Sequence, residues 1–414
     1  MTSQRTPSTR VTVGCLARIA QLNAILSAFV AINIGAAIPM GISSAQAQGN
    51  APLTRASKEC RESWMPRSVP SICEWHSSTA LPDKRAYAAA VAHLGRIYVA
   101  GGYRWDAKSS TVVYSSDVLS GVIDAKGAIP AWTSASRFRH GRSGLGMATT
   151  GHCMVIAGGS WQNGGSAVYG DDVQTATILS DGELSEFSES PHKLNVPRSN
   201  LSLVVYKGPH ATYLYAVAGV AQLGSDTVHL DSVEYAAIDS NCYVGPWSVA
   251  HFDLKGGRST PQATLIGGVL YVTGGWGDLD LVDIYKDVQY SSLRDDGSLS
   301  PWETSEDRLP NGIYGHTSSA IPEESSRAVL MLVTGGQPST GIYSGAIMYS
   351  YLTPGQLPQH ATGPWAVYYK VLPGERAGHA AAYWKGRLYL IGGARSGGQF
   401  LDDVIYSEIS GGMP

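Results

Sequence analysis

Residues 376–407 read RAGHAAAYWKGRLYLIGGARSGGQFLDDVIYS. A short apolar run, a turn and a second apolar run closing on Gly392-Gly393 lead into a third run, DVIYSEI. Val, Ile, Leu and Tyr favour a pleated sheet, and the glycines allow positive φ or a close backbone approach at the turn. The same unit recurs up the chain. Its second run appears as RIYVAGG, CMVIAGG, LYAVAGV, VLYVTGG and LMLVTGG, with pairs at Gly101-Gly102, Gly158-Gly159, Ala218-Gly219, Gly274-Gly275 and Gly335-Gly336. Successive spacings of 57, 60, 56, 61 and 57 residues mark an array of small supersecondary units rather than one irregular domain.

The third runs, DVQTATI, SVEYAAI, DVQYSSL and AIMYSYL, roughly alternate apolar with small or polar residues, the period of a strand. A turn then leads to an aromatic: Asp181-Gly182 before Phe187, Asp296-Gly297 before Trp302, and looser versions before Trp132, Trp247 and Trp365. Four strands per unit and no helical periodicity predict an all-β, six-bladed β-propeller with blades starting near 82, 139, 195, 255, 310 and 373. The sixth unit ends at Pro414 without its aromatic strand. At the other terminus Ile72-Cys73-Glu74-Trp75 followed by Leu81-Pro82 matches the endings from Trp302 to Leu309-Pro310 and from Trp365 to Leu372-Pro373. A clasp strand over 72–81 is therefore expected to complete the last blade, which removes the edges an open sheet presents for aggregation.

Residues 1–47 contain no acidic side chain, carry Arg5, Arg10 and Arg18, continue into an apolar stretch over 22–42 and end Ala45-Gln46-Ala47. This is the layout of a secretory signal peptide cleaved after Ala47, followed by an arm over 48–71 and the propeller over 72–414. The apolar stretch is long enough to leave an uncleaved membrane anchor as the alternative, against which Asn23, Asn33 and Pro39 weigh. Cleavage leaves 27 basic and 33 acidic side chains with no basic run, which argues against nucleic acid as a partner, and the leader sets the expectation of a secreted or periplasmic protein, free of the membrane after cleavage and monomeric. In an oxidising compartment Cys60 and Cys73 are expected to pair and tie the arm to the clasp. Cys153 reads as a small buried hydrophobe and Cys242 as unpaired, and no CxxC or HxxxH spacing suggests zinc.

The arrangement resembles the kelch family of β-propellers, whose repeats combine Arg, Gly and His on the first strand with the diglycine and a later Tyr and Trp. Arg376-Ala377-Gly378-His379 with Gly392-Gly393 and Tyr406 carries the resemblance best, and it extends over 72–414. What it implies about function is open, because kelch propellers include enzymes, peptide receptors and scaffolds.

In such a blade the approach to the first strand and the loop after the second share one end. Arg85, Arg142, Arg198, Arg258 and Arg376 recur at the first position, with Ile313 in the fifth blade. The second set holds Tyr103-Arg104-Trp105, Trp161-Gln162-Asn163, Gln222, Trp276-Gly277-Asp278, Gln337 and Arg395. The arginines have two readings. Asp117, Asp172, Asp287 and Asp403 recur where third strands start, so Arg–Asp pairs would account for both series structurally. Arginines at a channel mouth would alternatively offer bidentate donors to a carboxylate. Blade 3 has Ser232 at the aspartate position, which predicts an Arg198 without a partner and available to a ligand. Loop tryptophans suit the apolar face of a sugar, with Gln162, Asn163 and Asp278 for its hydroxyls, or else they cap blade ends.

The preferred expectation is a binding module for a glycan or peptide on this face, without cofactor or metal. Against it stands a metal-independent mutarotase or epimerase of an acidic sugar, since the chain resembles the six-bladed periplasmic sialic acid mutarotases. Opening and reclosing a hemiacetal needs an acid and a base across the ring, for which Glu375, His140, His316 and His379 are the candidates. The remote alternative is a copper radical oxidase like galactose oxidase, which places histidine ligands on such strands. That enzyme has seven blades, and no cysteine here is evidently placed for its Cys–Tyr cofactor.

Overall fold

The computed structural model describes Cys60, Pro66 and residues 69–410 apart from 278–283, 323–327 and 353–361. The expected leader with its cleavage point after Ala47, and most of the arm, lie outside the described residues.

Six antiparallel four-stranded sheets follow one another, and no helix occurs among the described residues. Blade 1 runs Ala89–His93, Arg96–Ala100, Asp117–Val122 and Trp132–Arg137, each strand hydrogen-bonded to the next. The first strands of successive blades touch in a cycle that returns from blade 6 to blade 1, so they form the inner wall of a six-bladed β-propeller. Burial falls outward. In blade 2 the second strand, Cys153–Ala157, is sandwiched between neighbouring blades and buried at every residue, whereas the outer Ser188–Glu189 is exposed at both.

Blade 6 takes Ala380–Trp384, Arg387–Arg395 and Gln399–Ser410 from the C-terminal end and its fourth strand from the N-terminal side. Ser71 and Ile72 pair with Ser410 and Ile409, and His76, Ser77 and Ser78 pair with Tyr406, Ile405 and Val404. Between them the Cys73 carbonyl accepts a 2.9 Å hydrogen bond from Ser407 Oγ. Ile72 is buried in the core shared with blade 5, a placement that contributes about 1.5–3 kcal/mol. Cys60 and Cys73 form a disulfide with Cα atoms 5.1 Å apart.

The glycine pairs stitch blades together. The amide of each second glycine donates to the carbonyl at the arginine position of the following blade: Gly102 to Arg142, Gly159 to Arg198, Gly219 to Arg258, Gly275 to Ile313, Gly336 to Arg376 and Gly393 to Arg85, at 2.8–3.0 Å. The first glycine is required by space. A Cβ on Gly158 would stand 2.5 Å from the Arg198 carbonyl oxygen, and one on Gly392 equally close to that of Arg85. Ala218 is the exception at this position, a non-glycine residue held at φ 55° beside a register shift in its strand.

A second ring lies two residues beyond each arginine position. Tyr87, Gly144, Asn200, Thr260, Gly315 and Gly378 all have φ between 54° and 63°, and all are buried. Five of the six blade junctions are bridged there by backbone bonds: Tyr87 to Gly378, Gly144 to Tyr87, Asn200 to Gly144, Thr260 to Asn200 and Gly378 to Gly315. The left-handed conformation costs Tyr87, Asn200 and Thr260 about 1–2 kcal/mol each, which the bonds around the axis offset.

The expectation for the remaining cysteines is overturned. Cys153 and Cys242 are joined, with Cα atoms 5.5 Å apart. The turn Asp239–Val244 of blade 3 is closed by hydrogen bonds from Tyr243 N and Asn241 N to Asp239 Oδ1, and it sets Cys242 over the start of the second strand of blade 2. Eighty-nine residues of sequence separate partners that the packing of adjacent blades makes neighbours.

Candidate functional site

Four of the five recurring arginines lie in blade cores against the recurring aspartates. Arg85 reaches Asp117 at 2.9 Å, Arg142 reaches Asp172 at 2.6 Å, and Arg258 and Arg376 reach Asp287 and Asp403 at 2.8 Å. The same guanidiniums donate to the carbonyl of the first glycine of their own blade, as Arg142 Nη1 does to Gly158 at 2.9 Å. Burial would raise the Asp172 carboxyl, but Arg142 and Gln174 outweigh it and hold the group below the usual range.

Arg198 departs from the sequence expectation that it lacks a partner. Its Nη2 stands 2.5 Å from Glu234 Oε1, with both side chains wholly buried. Blades 2 and 4 open their third strands Asp-Val-Gln, with Gln174 and Gln289 each donating to the aspartate at 2.7 Å. Blade 3 opens Ser232-Val233-Glu234, so the carboxylate sits two residues on, on the same face of the strand. Glu234 also accepts from the amides of Asn195 and Val196, at 2.6 and 3.0 Å.

The two strand histidines are likewise internal. His316 Nε2 bonds Thr273 Oγ1 at 3.0 Å, and His379 Nε2 meets Thr317 and Thr334 at 3.2 and 3.3 Å. Burial pushes His316 down to about 3; burial, with Arg376 and His316 nearby, pushes His379 well below its ordinary value. Both are neutral packing groups at neutral pH. They do not converge with His140, which lies on blade 2 with its ring stacked on Trp161 at 5.2 Å and 5°. Among the described residues no group of three His, Cys, Asp or Glu is placed to hold a metal ion.

What gathers on the hairpin face is tyrosine. Tyr87 stacks on Tyr103 at 5.8 Å, and its ring lies so close over Gly378 that a Cβ there would come within 2.6 Å. Tyr314 donates its hydroxyl to Gln337 Oε1 in a short hydrogen bond. Tyr343 completes the group, since its charge would be felt at Tyr87, Tyr103 and Tyr314. Burial raises all four hydroxyls, Tyr314 to about 12, so each is a protonated donor at neutral pH. Gln337 is completely buried, and its Nε2 lies near the Tyr343 hydroxyl without closing a hydrogen bond of good geometry. Glu375 borders the cluster beside Tyr343 and accepts from the Ser396 amide at 3.3 Å. Trp276 packs between His229 at 5.2 Å and Tyr314 at 5.9 Å.

The structure therefore brings Trp276, Gln337 and Glu375 together and leaves the other loop candidates dispersed. Trp105 is 42 % exposed on its hairpin, where Arg104 reaches Asp83 at 3.6 Å. Trp161 lies between His140 and Arg142, the latter 4.8 Å from the indole, with Gln162 exposed beside it. Arg395 is exposed and bonds Gln399 at 2.9 Å, and Asp278 lies outside the described residues. Tyr87, Tyr314 and Tyr343 were not singled out from the sequence as contacts. The available signal was position: Tyr87 lies two residues after Arg85, Tyr314 follows Ile313, and Tyr343 lies just before Gly345 where blade 5 breaks the aspartate series.

A hollow lies at the other end of the axis. A funnel of about 600 Å³ opens among the far ends of the first strands, lined by residues of all six blades.

The sequence matches no family model and no curated protein. The fold is similar to a solved structure described as "Structure of YjhT", with a TM-score of 0.59 and 15 % identity over 79 % of this chain and 95 % of that one. The likeness is one of fold.

Proposed function

We propose that the protein is a secreted, kelch-type carbohydrate-binding propeller that holds a glycan against the tyrosine cluster of the hairpin face. The observation that carries this reading is the gathering of the half-buried Trp276, Tyr343 and Glu375 beside the buried Tyr87, Tyr103, Tyr314 and Gln337 on one face. A sugar hydroxyl both accepts and donates. It would pair with the Tyr343 hydroxyl and the Glu375 carboxylate at once while a ring face covers Trp276. With the arginines committed to carboxylates inside the blades, a neutral glycan suits this face better than an acidic one. His316 and His379 are closed off inside the blades and His140 is on another blade, so the candidate acid and base groups do not meet across one ring.

A glycan array on the mature protein would identify the ligand. Calorimetric titration of the best hit should then show Tyr343→Phe weakening binding by about 0.5–1.5 kcal/mol, a few-fold to about tenfold in Kd. Unchanged affinity would remove the site from the face. If NMR shows the protein accelerating anomeric exchange of a free sugar, and Tyr343→Phe abolishes it, the isomerase reading replaces this one.

A further inference from the structure

We propose that the funnel at the opposite mouth is a second binding site, for a small molecule with an apolar ring body and a single carboxylate. The wall is mostly aliphatic and aromatic, with Leu265, Pro322 and Trp384 contributed by blades 4, 5 and 6. A cavity of several hundred Å³ with an apolar wall and a few convergent polar groups is what a small ligand needs. The polar groups converge at one place. Lys207 Nζ and His93 Cε1 lean over Gly151, where an added Cβ would stand 3.5 and 3.6 Å from them, and the His93 ring bonds the Gly151 backbone. The hydroxyl of Tyr206 faces the same hollow across Gly268.

Charge decides the ligand class. Lys207 is exposed and makes no ion pair among the described residues, unlike the buried arginines of the blades. Lys385, at the turn beside Trp384, is also without one and stands 5.4 Å from the indole. A cation at the rim of an apolar funnel offers an anion a charge-assisted hydrogen bond while the ring body leaves water. Glu323 and Glu324, which follow Pro322 in the sequence, lie outside the described residues. The two mouths are at opposite ends of the axis, so this site stands or falls apart from the glycan reading.

The test compares 2-naphthoate with its neutral isostere 2-naphthamide by calorimetry on the whole mature protein. The acid is expected to bind at least tenfold tighter than the amide. Lys207→Met should erase the difference, and Tyr343→Phe, on the other face, should leave it intact. The proposal is overturned if the acid fails to bind, if acid and amide bind alike, or if Tyr343→Phe rather than Lys207→Met weakens the acid. The acid–amide comparison needs no variant, so it holds even where a substitution disturbs folding.

Discussion

Arg198 Nη2 and Glu234 Oε1 stand 2.5 Å apart with neither side chain reaching solvent. Breaking a buried pair leaves an uncompensated charge, which costs about 3–5 kcal/mol. Glu234→Gln is expected to lose that much in urea denaturation. Adding Ser232→Asp rebuilds the Asp-Val-Gln opening of blades 2 and 4 and should recover most of it. Equal instability of the single and double variants would disprove the equivalence of the two carboxylate positions.

Stability should fall in mild acid through the two strand histidines. An unfolded histidine takes up its proton near pH 6.5, whereas folded His316 does so only at about 3. The unfolded state therefore binds more protons across that interval. Stability is full above about pH 6.5 and is lost as pH falls toward 3, by up to about 1.4 kcal/mol per pH unit for each such group. Denaturation midpoints from pH 8 to 4 would show the slope, and His316→Gln should flatten it.

Reduction should loosen the contact between blades 2 and 3. The Cys153–Cys242 bond closes a loop of 89 residues, and crosslinks of this kind contribute about 2–4 kcal/mol. Cys242→Ser should lower the melting temperature, and dithiothreitol should then have little further effect at this junction. A variant that melts with the parent would show that the bond does not form.

Removing residues 71–80 deletes the fourth strand of blade 6 and exposes the backbone of Gln399–Ser410 along its outer edge. The truncated protein is expected to melt well below the parent and to aggregate on concentration, because an unpaired edge is a template for pairing. Light scattering during a thermal ramp reads both. A truncation as stable and soluble as the parent would mean that the clasp contributes nothing.

The fold was legible because its cause is local and periodic. No Cβ fits between a blade and the next carbonyl at Gly158 or Gly392, so glycine recurs at the blade spacing in every blade but the third, where Ala218 stands. The arginine–aspartate pairs were half legible: the two series were visible, but a carboxylate two residues along the same strand face, at Glu234, does the same work as one at the strand start. The Cys153–Cys242 bond depends on which blades are neighbours and at what height a turn crosses. The tyrosine cluster was hidden for another reason. Tyr87, Tyr314 and Tyr343 come from blades 1 and 5, and only closure of the ring brings them together.

The buried girdle of left-handed residues has a consequence for traffic. All six of its members are shut off from solvent, so the girdle stands as a floor across the axis behind the far funnel. A solute that entered the funnel would leave by the way it came, so its residence time would be set at that mouth alone.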